Sequence, residues 1–215
     1  FAELHRKAGI ASVDVMENVW QPMPSPSPRI KRDANKSLRC CFIGGMALHK
    51  GMATLKAAFL RAEIADPGLS LTIMDSSLKE NEVNFMKWGT TVVKFVSPTP
   101  MNEMSTFYAN HDVLIAPSIW PESYGLVTRE ALSAGLWVVA SDIGALADPI
   151  RDQENGHRVP PGDVNALARV LQHLSLNHPN PQVLLKFQNK NTDLHCQLSE
   201  NYQKIVDRRA FNASH

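Results

Sequence analysis

Two carboxylates lie eight residues apart in the segment APSIWPESYGLVTREALSAG. Glu122 falls in a turn-rich stretch, and Glu130 falls about one turn into a helix that we expect to begin near Leu126. One carboxylate can accept hydrogen bonds from two hydroxyls, which suits the vicinal diol of a ribose or hexose. The backbone N–H groups from Gly125 to Val127 open the helix and can bind phosphate oxygens. Taken alone, the two residues are more simply explained as an exposed helix charge and a loop charge.

The segment FIGGMALHKG places glycines and a lysine at the end of an apolar run. Glycines at a strand-to-helix turn let backbone N–H groups approach an anion, and the positive end of a helix favours phosphate. Gly44 and Gly45 would form this turn, and Lys50 would add a positive charge where the next helix begins. A tight turn with a solvated lysine explains the segment as well, because it matches neither a Walker loop nor GxGxxG.

Short apolar runs alternate with segments of helical periodicity along most of the chain. Strands are predicted at residues 38–44, 69–75, 91–97, 112–118 and 137–142. Helices are predicted at residues 50–64, 80–87, 101–111, 126–135 and 162–174. This alternation predicts βαβ units and an α/β fold with a doubly wound, Rossmann-like parallel sheet. Ligands of such sheets bind beyond the carboxyl ends of the strands, and both segments described above follow predicted strands.

Composition divides the chain into three parts. Four prolines between positions 22 and 28 alternate with small polar residues and favour an extended conformation. Residues 1–37 are therefore interpreted as an interdomain linker with the remnant of a preceding helix. The compact domain is predicted at residues 38–178, and residues 179–215 are predicted to form a polar helical tail.

Composition also argues against several classes of protein. The formal net charge of +1 disfavours a nucleic-acid-binding protein with a large basic surface. Cys40 and Cys41 are adjacent in an apolar run and Cys196 is remote, so reduced thiols in a cytoplasmic protein are expected. The histidines are scattered without ligand spacing, which predicts no metal site. No apolar run approaches the ~20 residues of a membrane-spanning helix.

The segment PSIWPESYGLVTREALSAG resembles the E-x7-E signature of retaining glycosyltransferase family 4, whose members adopt the GT-B fold. FIGGMALHKG resembles the first phosphate loop of that family, and VDVMENVW falls where the family has its interdomain linker. VKFVSPTPMNEMSTFYANHDVLIAPS resembles the stretch leading into the signature. VVASDIGALADPIRDQENGHRVPPGDVNALARVL resembles the final strand, glycine loop and C-terminal helix. These similarities run in order from about Val13 to Leu174, so they imply the C-terminal half of a GT-B fold.

The resemblance implies a role for each matching residue. Glu130 would bind the ribose of a nucleotide. Glu122 would face the donor sugar near the transferred carbon, and Lys50 would contact the diphosphate, which makes these two the implied catalytic residues. The other implied donor-binding residues are Gly44 and Gly45 in the first loop, Val96 and Ser97 around the base, Tyr124, Gly125, Leu126 and Val127 at the helix start, and Gly144 beside the sugar.

The resemblance also implies a function for the whole protein. It would be a retaining, metal-independent hexosyltransferase of polysaccharide biosynthesis that uses a UDP- or GDP-linked sugar as donor and needs no cofactor. The acceptor would be a glycan, a lipid-linked glycan or a small molecule bound by an N-terminal domain outside this chain. We therefore expect this chain to be inactive alone. A cytoplasmic location follows, and peripheral association of the full protein with the inner face of the membrane is compatible with it.

Three positions depart from the family pattern. Gly45 stands where the family has an arginine, Gly144–Ala145 replaces a Gly-Gly pair, and Asp148 replaces a glutamate. The missing arginine favours an alternative hypothesis, a non-catalytic module that binds a nucleotide or nucleotide sugar. A positive φ at Gly45 would explain the glycine instead. The presence of both Glu122 and Glu130 favours the enzyme.

Overall fold

The structure, a computed structural model, describes residues 36–64 and 68–179, together with Lys7 and Gly9. Contacts divide the chain into two units, and all the helices and strands given below lie in the unit that spans Met23–Phe187. The predicted linker at 1–37, the predicted tail at 179–215 and Cys196 lie almost wholly outside the described residues.

The core of the fold is a seven-stranded sheet in the order β3-β4-β2-β1-β5-β6-β7. Its strands are β1 (Leu38–Ile43), β2 (Leu69–Met74), β3 (Val83–Trp88), β4 (Thr91–Val96), β5 (Val113–Ala116), β6 (Trp137–Ser141) and β7 (Gly156–Val159). All neighbouring strands are parallel except β3 and β4. The central strands β1, β2, β5 and β6 are short apolar runs that are largely buried, as strands covered on both faces must be. The predicted doubly wound α/β architecture is confirmed.

Four α-helices cover the sheet in the described part of the chain: α1 (Met52–Arg61), α2 (Met104–Ala109), α3 (Leu126–Ser133) and α4 (Val164–Leu176). Helices α1 and α4 pack over one face of the sheet, and α2 and α3 pack over the other. The carboxylate of Asp163 caps α4 by accepting a hydrogen bond of 2.9 Å from the Ala166 N–H. Short 3-10 turns at Leu48–Lys50 and Met101–Glu103 precede α1 and α2, which explains why both helices begin later than predicted.

The sheet reverses its direction of winding at β1. From β1 the chain proceeds outwards to β2 and β4, then crosses back to place β5 on the other side of β1. The carboxyl ends of β1 and β5 therefore border the crevice in which ligands of this fold class bind. The β1–β5 ladder has only two register pairs, Cys40↔Val113 and Cys41↔Leu114, whereas β1 and β2 pair over six residues.

The helix predicted at 80–87 is wrong, because this stretch forms β3 and the turn that precedes it. A two-residue turn joins β3 to β4, and Gly89 takes its first position with φ of +60°, a conformation that favours glycine. Trp88 anchors the hairpin, since its indole packs edge-on against Phe59 and Phe95 at 6.2 Å between ring centroids. The rest of β3 is exposed at the edge of the sheet, Phe85 by 68%. Tertiary packing of one aromatic residue thus overrides a weak helical pattern.

Strand β7 was not predicted, because its four residues include an exposed arginine and a half-buried histidine. It pairs in parallel with β6, beginning at Val138↔Gly156. A Cβ added to Gly156 would lie 2.1 Å from the carbonyl oxygen of Val138. A glycine is therefore what allows this strand to approach β6.

An arginine clamp joins β1 to the start of β5 at the amino ends of the strands. The Asp112 carboxylate accepts hydrogen bonds from the Arg39 guanidinium at 2.9 and 2.8 Å and from the Arg39 backbone N–H at 3.0 Å. Bidentate pairing of this kind is among the stronger interactions of charged groups in proteins. The clamp lies at the edge of the sheet opposite the crevice.

Acid should destabilise the fold through His111, which follows α2 and is buried. Its Nδ1 lies 2.7 Å from the Phe107 carbonyl oxygen. Burial is the main cause that lowers the pKa of His111 to about 4 from 6.5; Arg39 and Lys94 add to this effect, and the Phe107 bond and Asp112 oppose it. A lowered pKa means that stability is fully present above pH 6.5 and is lost as the pH falls towards 4, by at most about 3 kcal/mol.

Urea unfolding of the unmodified chain and of His111→Asn, at pH 7 and pH 4.5, measures this effect. Asparagine can retain the bond to the Phe107 carbonyl without acquiring a charge. The variant should therefore lose less stability between the two pH values. An equal loss in both chains would show that other groups cause the acid sensitivity.

Candidate functional site

The loops that follow β1 and β5 contact each other through their backbones. The Ile119 N–H and the Ser118 hydroxyl both donate to the carbonyl oxygen of His49, at 2.9 and 3.0 Å. Gly51 has φ of +81°, and a Cβ at this position would lie 1.8 Å from the carbonyl oxygen of Pro117. No other residue fits there without displacing the backbone. This approach fixes the first loop, which bears Lys50, against the loop that bears Glu122.

Lys50 and Glu122 form an ion pair across the crevice. The distance from Lys50 Nζ to Glu122 Oε1 is 2.8 Å, and the two side chains are 31% and 18% exposed. Gly44 lies against the lysine stem, since a Cβ added there would lie 3.0 Å from Lys50 Cβ. A partly exposed pair contributes only about 0–1 kcal/mol to stability, so its positioning of two opposite charges is the more informative property.

Gly144 holds the loop after β6 against the backbone of Glu122. The two residues form an isolated parallel bridge, and the Ala145 N–H donates to the Glu122 carbonyl oxygen at 2.8 Å. Gly144 has φ of +57°, and a Cβ there would lie 2.6 Å from the Glu122 oxygen and 2.7 Å from its nitrogen. Gly144 therefore adjoins the predicted site through backbone contact with Glu122.

Helix α3 opens the site with its positive end. Gly125 is its N-cap, with φ of +67° and no side-chain capping bond. The N–H groups of Leu126 and Val127 lie in the first turn and therefore have no acceptor within the helix. Thr128 anchors this end because its buried hydroxyl lies 2.9 Å from the carbonyl oxygens of both Gly125 and Leu146. The arrangement suits an anion at the helix terminus.

Arg129, which was not among the predicted site residues, joins the loops on either side of this helix terminus. Its guanidinium donates to the carbonyl oxygens of Tyr124 and of Ala145, the latter at 3.2 Å. The guanidinium carbon lies 4.2 Å from the centre of the Tyr124 ring, a cation–π contact that buries the ring face. Its position beside Glu130 in the signature was the only available sequence signal.

Glu130 is half-buried and receives a hydrogen bond from Tyr108, a second residue that the sequence analysis did not identify. The Tyr108 hydroxyl donates to Glu130 Oε2 at 3.0 Å, and the tyrosine itself is fully buried on α2. Burial raises the pKa of Glu130, an effect that the Tyr108 hydrogen bond opposes. Burial also raises the pKa of Tyr108, so the tyrosine is the proton donor of the pair.

Val96 and Ser97 lie at the end of β4, separated from β1 by β2. At the usual strand spacing this places them roughly 10 Å from β1, beyond contact with Lys50. The Val96 carbonyl oxygen accepts from the Asp75 N–H at 2.8 Å, and the Ser97 hydroxyl accepts from the Asn81 N–H at 3.2 Å. These two residues thus share the carboxyl edge of the sheet with the other predicted residues but do not join their cluster.

Gly45 adopts a left-handed conformation with φ of +60°, and a Cβ there would lie 3.2 Å from Ser76 Oγ. An L-residue costs about 1–2 kcal/mol in this conformation. The backbone therefore gives a reason for glycine where the resembling family has an arginine.

Other features of the described residues lie outside this site. No group of three or more histidine, cysteine, aspartate or glutamate side chains in that part of the chain is placed to hold a metal ion. No helix among the described residues is long and apolar enough to span a membrane. Cys40 and Cys41 are buried free thiols. A cavity of about 590 Å³ lies beside β7 and α4, and its lining includes neither Lys50, Glu122 nor Glu130.

The sequence model of the family described as glycosyl transferases group 1 matches residues 27–190. Phosphatidyl-myo-inositol mannosyltransferase of Mycobacterium leprae is 52% identical over 66 residues, which are 31% of this chain and 18% of that protein. D-inositol 3-phosphate glycosyltransferase of Corynebacterium diphtheriae is 27% identical over 175 residues, 73% of this chain and 41% of that protein. The chain thus spans less than half the length of these relatives.

Solved structures share the fold. Sucrose-phosphate synthase of Thermosynechococcus elongatus superimposes with a TM-score of 0.60 at 23% identity, over 80% of this chain and 46% of that one. HepE of Anabaena, solved with UDP and glucose, gives a TM-score of 0.60 at 19% identity, over 79% and 49% of the two chains. The C-terminal domain of a group 1 glycosyltransferase of Francisella tularensis gives 0.56 at 18% identity, over 83% and 97%.

Gly144→Ala should destabilise the protein more than the strain of its backbone conformation alone. Gly162→Ala is the matched control, because Gly162 also has a positive φ, +75°, but its added Cβ would meet only Ile119 Cγ2, at 3.9 Å. We expect the control to cost about 1–2 kcal/mol. Gly144→Ala should cost at least about 1 kcal/mol more, since its Cβ overlaps the Glu122 backbone. Urea unfolding measures both, and equal losses would contradict the close approach.

Proposed function

Because this chain belongs to the glycosyl transferases group 1 family, we propose that it is the donor-binding domain of a retaining, metal-independent hexosyltransferase. The observation that best supports the proposal is the ion pair of Lys50 and Glu122 at the crevice where this fold binds ligands. It joins the segment FIGGMALHKG to the E-x7-E segment, and its two residues lie 72 positions apart in the chain. The proposed domain spans residues 38–178, between a linker at 1–37 and a tail at 179–215.

The proposed donor lies along the carboxyl edge of the sheet. Lys50 and the N–H groups from Gly125 to Val127 bind its diphosphate, with Gly44 and Gly45 allowing close approach of the first loop. Glu130 accepts hydrogen bonds from the ribose hydroxyls. Glu122 faces the sugar, with Gly144 and Tyr124 beside it, and the backbone of Val96 and Ser97 frames the base. The span from β1 to β4 is comparable to the length of a nucleoside, which suits the separation of these groups.

In the proposed reaction the bond between sugar and diphosphate breaks, and the diphosphate keeps the electron pair. The acceptor oxygen bonds to the same sugar carbon, on the face that the diphosphate leaves, and its proton passes to the oxygen of the departing diphosphate. Negative charge grows on the leaving diphosphate, and Lys50 and the positive end of α3 stabilise it without a metal ion. Glu122 holds the ammonium of Lys50 at this position before the donor binds. Exchanging that partner for a phosphate is inexpensive, because a partly exposed ion pair is weak.

The donor in this proposal is a UDP- or GDP-linked sugar, and no cofactor takes part. The UDP complex of HepE and the mannosyltransferase relatives support a nucleotide-sugar donor. The acceptor, a glycan, a lipid-linked glycan or a small molecule, would bind an N-terminal domain outside this chain. A cytoplasmic protein with peripheral contact to the inner face of the membrane fits this assignment.

A non-catalytic nucleotide-sugar-binding module is the second candidate, and the glycine at position 45 is the observation that favours it. The left-handed φ of Gly45 weakens that argument, because the conformation itself requires glycine. The pairing of Lys50 with Glu122 favours the enzyme, since a module that only binds a diphosphate has no need of a carboxylate beside its lysine.

The chain should bind a nucleoside diphosphate weakly, and Lys50→Met should reduce the affinity. Loss of a hydrogen bond to a charged group costs about 1.5–3 kcal/mol, which is roughly 10- to 150-fold. Glu122→Gln should bind at least as tightly as the unmodified chain, because it releases Lys50 from its partner. Lys56→Met is the control, since that exposed lysine lies on α1, 6.0 Å from the Trp88 ring centre. Calorimetric titration with UDP, GDP and ADP measures all four proteins.

If none of the three diphosphates binds at millimolar concentration, the proposal of nucleotide binding is wrong. A loss in Glu122→Gln equal to that in Lys50→Met would show that both residues act only as a structural pair.

This chain alone should transfer no sugar from UDP- or GDP-linked hexoses, because the acceptor would be aligned by a second domain. The full-length protein should transfer, and Glu122→Gln in that protein should abolish transfer while donor binding remains. Radiolabelled donors measure both steps. Transfer by the isolated chain would contradict the proposal that a second domain binds the acceptor. Full activity of the variant would contradict the proposed role of Glu122 in transfer.

A further inference from the structure

Tyr108 contacts the one carboxylate of the site that has no cationic partner among the described residues. It lies on α2 and reaches Glu130 on α3, 22 residues further along the chain, with its hydroxyl 3.0 Å from Oε2. Glu122, in contrast, is paired with the ammonium of Lys50. The two carboxylates thus sit in different surroundings, one beside a charge and one beside a buried neutral donor.

The hydrogen bond occupies one oxygen of Glu130 and leaves the other available. Within the described part of the chain, Tyr108 is the residue that bonds to the Glu130 carboxylate, and it uses Oε2 only. A carboxylate oxygen that is not engaged can accept a hydroxyl from a ligand. Fixing Oε2 also fixes the rotation of the whole carboxylate, because its atoms are coplanar.

We propose that Tyr108 is a positioning residue that orients the Glu130 carboxylate towards the ribose hydroxyls of the bound nucleotide. The proposal rests on the assignment of Glu130 to the ribose made above. Tyr108 itself touches no ligand, since its side chain is fully buried beneath α3. Its effect passes entirely through the carboxylate.

The packing of Tyr108 does not explain its hydroxyl. The ring contacts Phe107 edge-on at 5.9 Å between centroids and belongs to the apolar cluster between the sheet and helices α2 and α3. A phenylalanine would make the same apolar contacts. A buried hydroxyl is retained at a cost unless it has a partner, and here the partner is Glu130.

The same bond favours the ionised form of Glu130. Burial raises the pKa of Glu130, and the Tyr108 hydrogen bond is the influence that lowers it. Besides Tyr108 and Glu130 themselves, the titratable group that acts on the pair within the described residues is Cys41 on β1, which raises the pKa of the tyrosine. Removing the hydroxyl should therefore raise the pKa of Glu130 further. A carboxylate that protonates at higher pH loses acceptor capacity earlier as the pH falls.

Tyr108→Phe tests the proposal with two ligands. The first is whichever of UDP, GDP and ADP binds most tightly, and the second is its 2′,3′-dideoxy counterpart. In the unmodified chain the ribose hydroxyls should favour the first ligand by about tenfold or more. Tyr108→Phe should weaken the first by about three- to tenfold and leave the second unchanged. A purely structural role would weaken both ligands alike, and that outcome would overturn the proposal.

Glu130→Gln is the reference variant, and its combination with Tyr108→Phe completes a double-mutant cycle. If Tyr108 acts through Glu130, the second substitution should add nothing to the first. If Glu130→Gln removes the preference for the ribose and Tyr108→Phe does not, the ribose assignment stands and the positioning role is wrong. If neither variant changes the preference, or no diphosphate binds, the ribose assignment fails and the positioning role fails with it.

The pH profile of binding gives an independent readout. The affinity for the ribose-containing ligand should fall on the acid side at a higher pH in Tyr108→Phe than in the unmodified chain. Thermal unfolding should show that the variant remains folded, with a melting temperature within about 5 °C of the original. If the variant fails to fold, carbon-13 NMR titration of Glu130 in the unmodified chain replaces the profile. A single titration of Glu130 unaffected by the diphosphate would then overturn the proposal.

Discussion

The close approach of Gly51 to Pro117 is the constraint on which the site depends. A Cβ there would lie 1.8 Å from the Pro117 carbonyl oxygen, so the loops after β1 and β5 can meet only because one residue lacks a side chain. Lys50 immediately precedes this glycine, and Glu122 follows the proline by five residues. The ion pair between them is a consequence of this backbone contact. Glycines at positions 125 and 144 extend the same principle to α3 and to the loop after β6.

The two carboxylates of the signature acquire different properties from their neighbours. Glu122 is paired with the ammonium of Lys50. Glu130 is half-buried beside a neutral hydroxyl, and the hydrogen bond from that hydroxyl opposes the rise in pKa that burial causes. Spacing in the sequence cannot distinguish the two residues, because the partners lie on other elements. The difference arises from the sheet order, which brings Lys50 to one carboxylate, and from the packing of α2 beside α3, which brings Tyr108 to the other.

The local sequence pattern predicted most of the architecture, and it failed where tertiary contacts determine the secondary structure. The parallel strands other than β7 were predictable because they are short apolar runs bounded by turns. The β3–β4 hairpin was not, since β3 is exposed apart from Trp88 and its apolar residues follow no strand periodicity. Resemblance predicted Lys50, Glu122, Glu130 and the glycines, but the contacts of Tyr108 with Glu130 and of Arg129 with Ala145 depend on residues distant in the chain. Such long-range pairings leave no periodic signal.

The β1–β5 ladder, along the line of the crevice, is the shortest in the sheet. Two register pairs join these strands, whereas the neighbouring ladders have four or more. The line is held at one end by Arg39 and Asp112 and at the other by the loop contact at Gly51. A ligand that contacts both loops would add a third connection between β1 and β5. Ligand binding in the crevice and the contact between β1 and β5 are therefore thermodynamically linked. The two halves of the sheet should separate more readily when the crevice is empty.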